Sequence, residues 1–387
     1  MSELSKTLEF DIVICGAGPA GATCALTLGQ SGLKVALLEK SSFPRDKVCG
    51  DALAAYVPLV LNSIRPEYAE AFTRFDERMI VDSVRFVAPN EKHIDIKFPK
   101  QGSISTRFKF DNFLFSLVKT LPDIRIFENT TVHNITPESD HIVIDAGKDL
   151  RLKTKLLIGC DGAQGVVSRK LTNTTVNRNH YSAAVRGYYE NVKDIPPSTF
   201  EIHLLPEVLP SYLWIFPLPG NRANVGIGQV SRLLSRTKIN LRETLQRTIQ
   251  EAPSLKDRFK DARLMGDIEG YGLPLGSRKV TMSGPRFMLC GDAASLIDPL
   301  TGEGIGQAMV SGRNAGRQAM LCFKENNFSA SFMKQYDKGV YDKFWKTHYA
   351  HYLGQKIIGN RPWVANTAIN MALKNTLLEK AMKRLFL

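Results

Sequence analysis

The sequence is short of the residues that mark several protein classes. Its 387 residues include six cysteines, and none forms a CxxC pair. That argues against a disulfide framework and a zinc site, and for a reducing compartment. Seven histidines form no HxxxH or HExxH set, so no metal is expected. His348 and His351 stand three apart in an aromatic helical stretch and read as packing or surface residues. There is no zinc finger and no dense Lys/Arg tract, so nucleic acid is the least favoured partner. The net charge of +13 is spread over 51 basic and 38 acidic residues. Such a charge draws anionic small molecules, lipid headgroups or nucleic acid without distinguishing them. "MSELSKTLEF" lacks the basic-then-apolar order of a signal peptide. Residues 12 to 33 carry no charge, but "GAGPAGA", with three glycines and a proline, interrupts them, so a spanning helix is not expected. The expected location is cytoplasmic, with peripheral contact at the inner face of a membrane left open.

What is present points to two domains, with 43% hydrophobic and 23% charged residues. "FDIVICGAGPAGATCALTLGQSGLKVALLEK" reads as strand, turn, helix, strand. Phe10 to Cys15 is a continuous apolar run, as in a central parallel strand buried on both faces. Gly16, Gly18 and Gly21 then form GxGxxG, with Pro19 and Ala20 inside it. The first glycine permits a tight turn, the second lets backbone approach a pyrophosphate, and the third lets helix and strand pack closely. The helix N-terminus supplies free N–H groups for phosphate. Glu39 follows eighteen residues after Gly21, where a carboxylate takes the ribose hydroxyls, and Lys40 adjoins it. Together these imply a dinucleotide, though not which one.

Three later segments resemble the FAD-dependent oxidoreductase superfamily of the aromatic hydroxylases and geranylgeranyl reductases. "RFKFDNFL" is similar to its RxxFDxxL, with Arg107 and Asp111 at the matching positions. "LLIGCDGAQGVVSR" is similar to its strand ending in Asp-Gly, here Asp161 and Gly162. Gly165 stands where the family usually has serine, and its arginine appears as Arg169. "RFMLCGDAASLIDPLTGEGIGQAM" is similar to GDA followed by PxxGEGI, carrying Gly291, Asp292, Pro299, Gly302, Gly304 and Ile305. The resemblance implies FAD as cofactor, with Arg107 toward its phosphates or ribityl. Asp292 is placed to accept from ribityl hydroxyls. The helix after Gly304 aims its N-terminus at the flavin edge that becomes negative on reduction. Only one GxGxxG is led by a strand, so NAD(P)H, if it donates electrons, binds transiently.

"FPRDKVCGD" follows the ribose-binding strand. Geranylgeranyl reductases carry a CGG-like cysteine there; Cys49-Gly50 matches, and Asp51 replaces the second glycine. Arg45 and Lys47 are expected to favour the Cys49 thiolate, which then tunes the flavin or donates a proton; a cysteine with no chemical role is the other reading. Arg45 is also a candidate for the cofactor phosphates.

Residues 176 to 278 turn antiparallel in pattern, and residues 81 to 99 read as further strands of the same sheet. The expected fold class is α/β, with a Rossmann-like FAD-binding domain, an inserted antiparallel-sheet substrate domain and a C-terminal helical segment. The expected boundaries are 1–80, 103–175 and 279–330 for the first, 81–102 and 176–278 for the second, and 331–387 for the third. In "YLWIFPLPGNRANVGIG", Tyr212, Trp214 and Phe216 alternate onto one face of a strand. The stretch resembles the (Y/F)xWxFP and GxG of geranylgeranyl reductases more than the WxWxIP of flavin halogenases. A wall for an apolar substrate and a packed core face both fit this row. Val364, Ala368, Met371, Leu378, Met382 and Leu385 recur at helical spacing, with Lys374, Lys380, Lys383 and Arg384 beside them. Packing on the protein's own core or on a dimer partner is favoured there over a membrane surface.

The resemblance implies a geranylgeranyl-reductase-like enzyme that passes hydride from reduced FAD to an unsaturated isoprenoid or other apolar lipid. The alternatives are a monooxygenase acting on an aromatic or polyketide through a flavin hydroperoxide, and a non-catalytic FAD-binding protein.

Overall fold

A computed structural model describes residues 7–196 and 198–375. In chain order the elements are β1 (Thr7–Cys15), α1 (Pro19–Leu28), β2 (Val35–Leu38), β3 (Ala52–Leu53), α2 (Val57–Asn62), α3 (Pro66–Arg74), β4 (Met79–Val87) and β5 (His93–Ile104). Next come α4 (Arg107–Lys119), β6 (Ile124–Phe127), β7 (Val132–Pro137), β8 (Ile142–Ala146), β9 (Leu150–Gly159), α5 (Val166–Leu171), β10 (Tyr181–Glu190) and β11 (Thr199–His203). They are followed by β12 (Leu213–Leu218), β13 (Arg222–Val230), α6 (Ser231–Thr237), α7 (Leu241–Glu251), α8 (Lys256–Phe259) and β14 (Arg263–Pro274). The last are β15 (Ser283–Gly284), β16 (Phe287–Leu289), α9 (Ile305–Lys324), α10 (Ala330–Ile358) and α11 (Pro362–Lys374).

Two sheets organise the chain. The first runs β15-β16-β9-β1-β2-β6, with β7 and β8 continuing from β9. Its centre is parallel: β1 pairs with both β2 and β9, and β16 extends β9. All four residues of β2 and the last four of β1 are buried, which is why these strands read as unbroken apolar runs. Each such side chain contributes about 1.5–3 kcal/mol by leaving water. Helix α9 lies on α1 at close range, because a Cβ at Gly312 would meet the Ala20 carbonyl oxygen at 2.1 Å.

The second sheet runs β14-β10-β13-β12-β11-β4-β5-β3. It is antiparallel except at one junction, where β11 pairs with β4 in parallel. The expectation of an antiparallel sheet therefore needs that correction. Alternation of apolar residues reports which face is buried, not strand direction. Helix α11 packs on this sheet through Ile369 and Ala372, in one cluster with Trp214 and Phe216. The segment packs through Ala365, Ile369 and Ala372 rather than through the expected row, of which Val364 is half-buried and Ala368 and Met371 are exposed; Leu378, Lys380, Met382, Lys383, Arg384 and Leu385 lie outside the described residues. Among the described residues no helix is long and apolar enough to cross a membrane.

Candidate active site

The GxGxxG turn is built by contact. Gly16 has φ +96°, and a Cβ there would stand 2.4 Å from the Cys160 carbonyl oxygen. At Gly21 a Cβ would stand 1.8 Å from the Gly16 carbonyl oxygen, so helix and strand pack only with glycine. Gly18 differs. A Cβ there meets no backbone, only the Arg45 and Arg107 guanidinium nitrogens at 3.6 and 3.8 Å. It is the N-cap of α1, which has no side-chain cap, no acid in its first turn and Pro19 at its start. Free amides and two guanidinium groups therefore face one small space, a cradle that suits a pyrophosphate. Glu39 accepts from the Ala17 and Ser41 amides at 2.9 and 3.1 Å, which holds its carboxylate at the end of β2. Lys40 beside it is exposed.

Asp111 organises the cations. It is fully buried and takes two hydrogen bonds from Arg107, both 2.6 Å, and one from Arg45 at 2.8 Å. Burial alone would raise its carboxyl, but Arg107 and then Arg45 outweigh that and hold it below the usual carboxylate range. Lys47 instead reaches across to Asp292, at 2.9 Å, where β16 ends. Gly291 has φ +60°, which turns the chain so that Asp292 sits near the start of α9. Helix α9 begins at Ile305 after Gly304, again with no side-chain cap and no acid in its first turn. Two helix N-termini thus face one site, and in the first turn of α9 the Gly306 amide also donates to Glu303. Asp161 Oδ2 accepts from the Val167 amide at 3.0 Å, while its buried Oδ1 has no partner among the described residues. Gly165 makes room for it, since a Cβ would lie 2.2 Å from a carboxylate oxygen. Gly162, at φ +81°, faces the Tyr271 hydroxyl.

The aromatic row meets both cofactor-side loops. The Tyr212 hydroxyl donates to the Thr301 carbonyl, next to Gly302. A Cβ at Gly50 would be 3.2 Å from the Phe216 ring and 3.6 Å from Trp214 Nε1. Trp214 Nε1 donates to Asn224 Oδ1 at 2.9 Å, and Asn224 Nδ2 donates to the Cys49 carbonyl at 2.7 Å. Trp214 and Phe216 are each 8% exposed and pack into the sheet, while Tyr212 is half-buried. One strand therefore supplies both a core face and the border of the loops.

The expected thiolate at Cys49 is not what the surroundings favour. Burial pushes the thiol up, with Asp51 acting the same way, against Arg107 and Lys47. Arg45 is engaged with Asp111 and Lys47 with Asp292, so neither is committed to the sulfur. These surroundings favour the neutral thiol over the thiolate.

Several site residues carried no signal of their own in the sequence. Asp51 is fully buried, with φ +70°. Its Oδ2 accepts from the Tyr188 hydroxyl and from Asn224 Nδ2, both at 2.8 Å, while Oδ1 has no partner. Burial pushes this carboxyl up to about 7, against the hydrogen bonds from Asn224 and Tyr188 and the charge of Arg186. Glu303 is likewise pushed up to about 7 by burial, although Tyr56 and Gln307 donate to it at 2.8 and 3.1 Å. His351, expected to be packing or surface, is buried with Nδ1 2.7 Å from Asp298 Oδ2. Asp298 Oδ1 caps the Leu300 and Thr301 amides, and Gln355 donates to the Pro299 carbonyl, so α10 clamps the loop before α9. Asp51 was visible only as a departure from CGG, and Glu303 only as the middle of GEG.

The FAD binding domain family matches residues 104–339, well over half of the sequence. The chain belongs to that family. Residues 1–48 also match the Thi4 family. A digeranylgeranylglycerophospholipid reductase of Thermoplasma acidophilum is 29% identical, over 95% of this chain and 89% of its own. A menaquinone reductase of Mycolicibacterium smegmatis is 29% identical, over 79% of this chain and 75% of its own. The fold is similar to that of a geranylgeranyl bacteriochlorophyll reductase-like protein of T. acidophilum, with TM-score 0.83 and 24% identity over 94% and 91% of the two chains. It is also similar to a flavin-dependent brominase, with TM-score 0.79 and 20% identity over 98% and 93%. The protein is an FAD-dependent oxidoreductase similar to the geranylgeranyl reductases.

Proposed function

We propose that the protein reduces carbon–carbon double bonds in an isoprenoid chain carried by a lipid or quinone. The observation that carries this reading is the row Tyr212, Trp214, Phe216 set against both the Cys49-Gly50 turn and the Thr301-Gly302 loop. The reductase names of the relatives support the same substrate class. In this reading the first sheet holds the cofactor and the second the substrate, and the protein reaches its lipid by peripheral contact with a membrane.

Bound and reduced, FAD supplies the hydride, with NAD(P)H as the proposed transient electron source. Arg45, Arg107 and the α1 amides hold its phosphates, and Glu39 its ribose. The α9 N-terminus favours negative charge at the ring by ~1 kcal/mol or more. Tyr212, Trp214 and Phe216 orient the apolar chain and exclude water. Each reduced double bond also takes a proton. Cys49 holds one at Sγ beside the turn, and Asp51, linked to Trp214 through Asn224, keeps another.

The test is stopped-flow absorbance of the anaerobically reduced protein. Faster anaerobic reoxidation on adding a geranylgeranyl lipid is expected, and simple reoxidation when oxygen is mixed in. A transient flavin hydroperoxide with oxygen, and no response to the lipid, would replace this reading with a monooxygenase.

A further inference from the structure

Two stretches of sequence lack any acid. Between Glu207 and Glu243 the charged residues are Arg222, Arg232, Arg236, Lys238 and Arg242; between Asp342 and Glu379 they are Lys343, Lys346, Lys356, Arg361 and Lys374. The fold brings them together. A cavity of about 360 Å³ opens between α6 and the C-terminal end of α10, and Arg232, Arg236, Lys356 and Arg361 all line it, with no carboxylate. None of these four forms an ion pair with a described residue; Lys356 lies over the Tyr352 ring at 4.5 Å, and Arg361 reaches only the Ile357 carbonyl. Four such cations repel one another, and no carboxylate among the described residues pairs with them. His180, whose ring stands 5.2 Å from that of Tyr352, is held below its ordinary value by burial, then by Arg278 and Lys356, as a positive local field requires.

The rim of the same region is apolar and exposed. Tyr349, Leu353 and Ile357 recur every four residues on one face of α10 and are 47%, 42% and 63% exposed; Trp363, at the start of α11, is 66% exposed. Large apolar side chains gathered beside a cationic hollow match a bilayer boundary, where aliphatic and Trp side chains enter the headgroup region and Lys/Arg meet phosphate. The hollow also has an address. Pro210 lines it, two residues before Tyr212, and Gln355 lines it while bonding the Pro299 carbonyl of the loop before α9.

We propose that this cavity binds the phosphate headgroup of an anionic membrane lipid, with Tyr349, Leu353, Ile357 and Trp363 seated in the bilayer boundary. It rests on the proposed reading only in one respect, that the chain of such a lipid then runs past Tyr212 to the aromatic row.

Co-sedimentation of the full-length, FAD-loaded protein with vesicles tests it, using phosphatidylcholine with and without phosphatidylglycerol. Binding only to the anionic vesicles is expected. Each cation at such a surface is worth roughly fivefold in affinity, so Arg236→Ala with Arg361→Ala loses about thirtyfold. Ile357→Ala with Trp363→Ala weakens binding even where charge is intact. Lys100→Ala with Lys148→Ala, which removes two exposed cations that do not line the cavity, changes it by less than about twofold. Equal losses from this pair and the cavity pair would mean that only net charge counts and would overturn the proposal. So would equal binding to neutral vesicles, or thermal stabilisation by inorganic phosphate with no vesicle binding. Flavin absorbance and melting temperature of each variant, unchanged from wild type, keep folding defects out of the comparison. Vesicle binding needs no turnover. A protein that binds anionic vesicles but reduces no isoprenoid therefore fails the proposed function and keeps this site.

Discussion

Asp51 and Glu201 show how burial and pairing pull carboxylates in opposite directions. Unfolded, Asp51 titrates near about 4; folded, it is pushed up to about 7. Between those values the folded chain holds a proton that the unfolded chain has released. Asp51 thus favours folding below about pH 4, and that contribution is lost as pH rises toward about 7. Asp51→Asn keeps an acceptor for Tyr188 and Asn224 but has no proton to lose. Its stability relative to wild type should climb across that window by a few kcal/mol and then level off, read from urea midpoints. A flat difference would show that Asp51 titrates normally. Glu201 is 1% exposed and is gripped by Arg258 at 2.6 and 2.9 Å. Burial acts to raise its carboxyl, yet His203 and Arg258 pull it down to about 2. Its contribution is present above the unfolded value and lost as pH falls from about 4 toward about 2. Glu201→Gln should therefore cost about 3–5 kcal/mol near neutral pH, because Arg258 is left uncompensated, with the gap closing in acid.

At the scale of elements, the contact of α9 on α1 decides where both N-termini point. Gly312→Val drives a side chain into the Ala20 carbonyl, which a Cβ alone would meet at 2.1 Å. The expected result is a lower melting temperature together with FAD lost on gel filtration, since the two N-termini no longer converge. Gly354 is the contrast: it lies inside α10 with nothing within 4 Å of a built Cβ. Gly354→Ala should stabilise by about 1 kcal/mol with FAD content unchanged. These elements were legible in different degrees. The strand and glycine turn at residues 10–21 and the start of α9 carry local signatures, because positive φ and close backbone approach restrict the residue type. The parallel pairing of β11 with β4 carries none, since a strand's alternation is the same in either direction. Gly312 looked like any helical glycine, because its partner Ala20 lies almost three hundred residues away.

Across the whole molecule, the site is a meeting of distant segments. Asn224 bonds the Cys49 carbonyl, Lys47 bonds Asp292, and His351 holds Asp298. None of those pairs is adjacent in sequence, which is why the chemistry-bearing loops were readable and their anchors were not. Such an arrangement makes a specific demand on FAD removal. A ligand that joins the Gly16–Gly21 turn, the Arg45–Gly50 loop and the Gly302–Gly306 turn must stabilise all three together. At a hundredfold excess over its dissociation constant it adds about 2.7 kcal/mol to the folded state. Stripping FAD should therefore lower the melting temperature in a way that added FAD reverses in a concentration-dependent manner. Amide hydrogen exchange should quicken in those three segments. It should stay unchanged in β7 and β8, which pair along five positions apart from those three segments. Uniform quickening over both sheets would mean that the cofactor holds the fold as a whole. Quickening confined to residues 16–21 would mean that the second and third loops do not touch it. The expected pattern, three separated segments responding as one, is what a site assembled from both sheets requires.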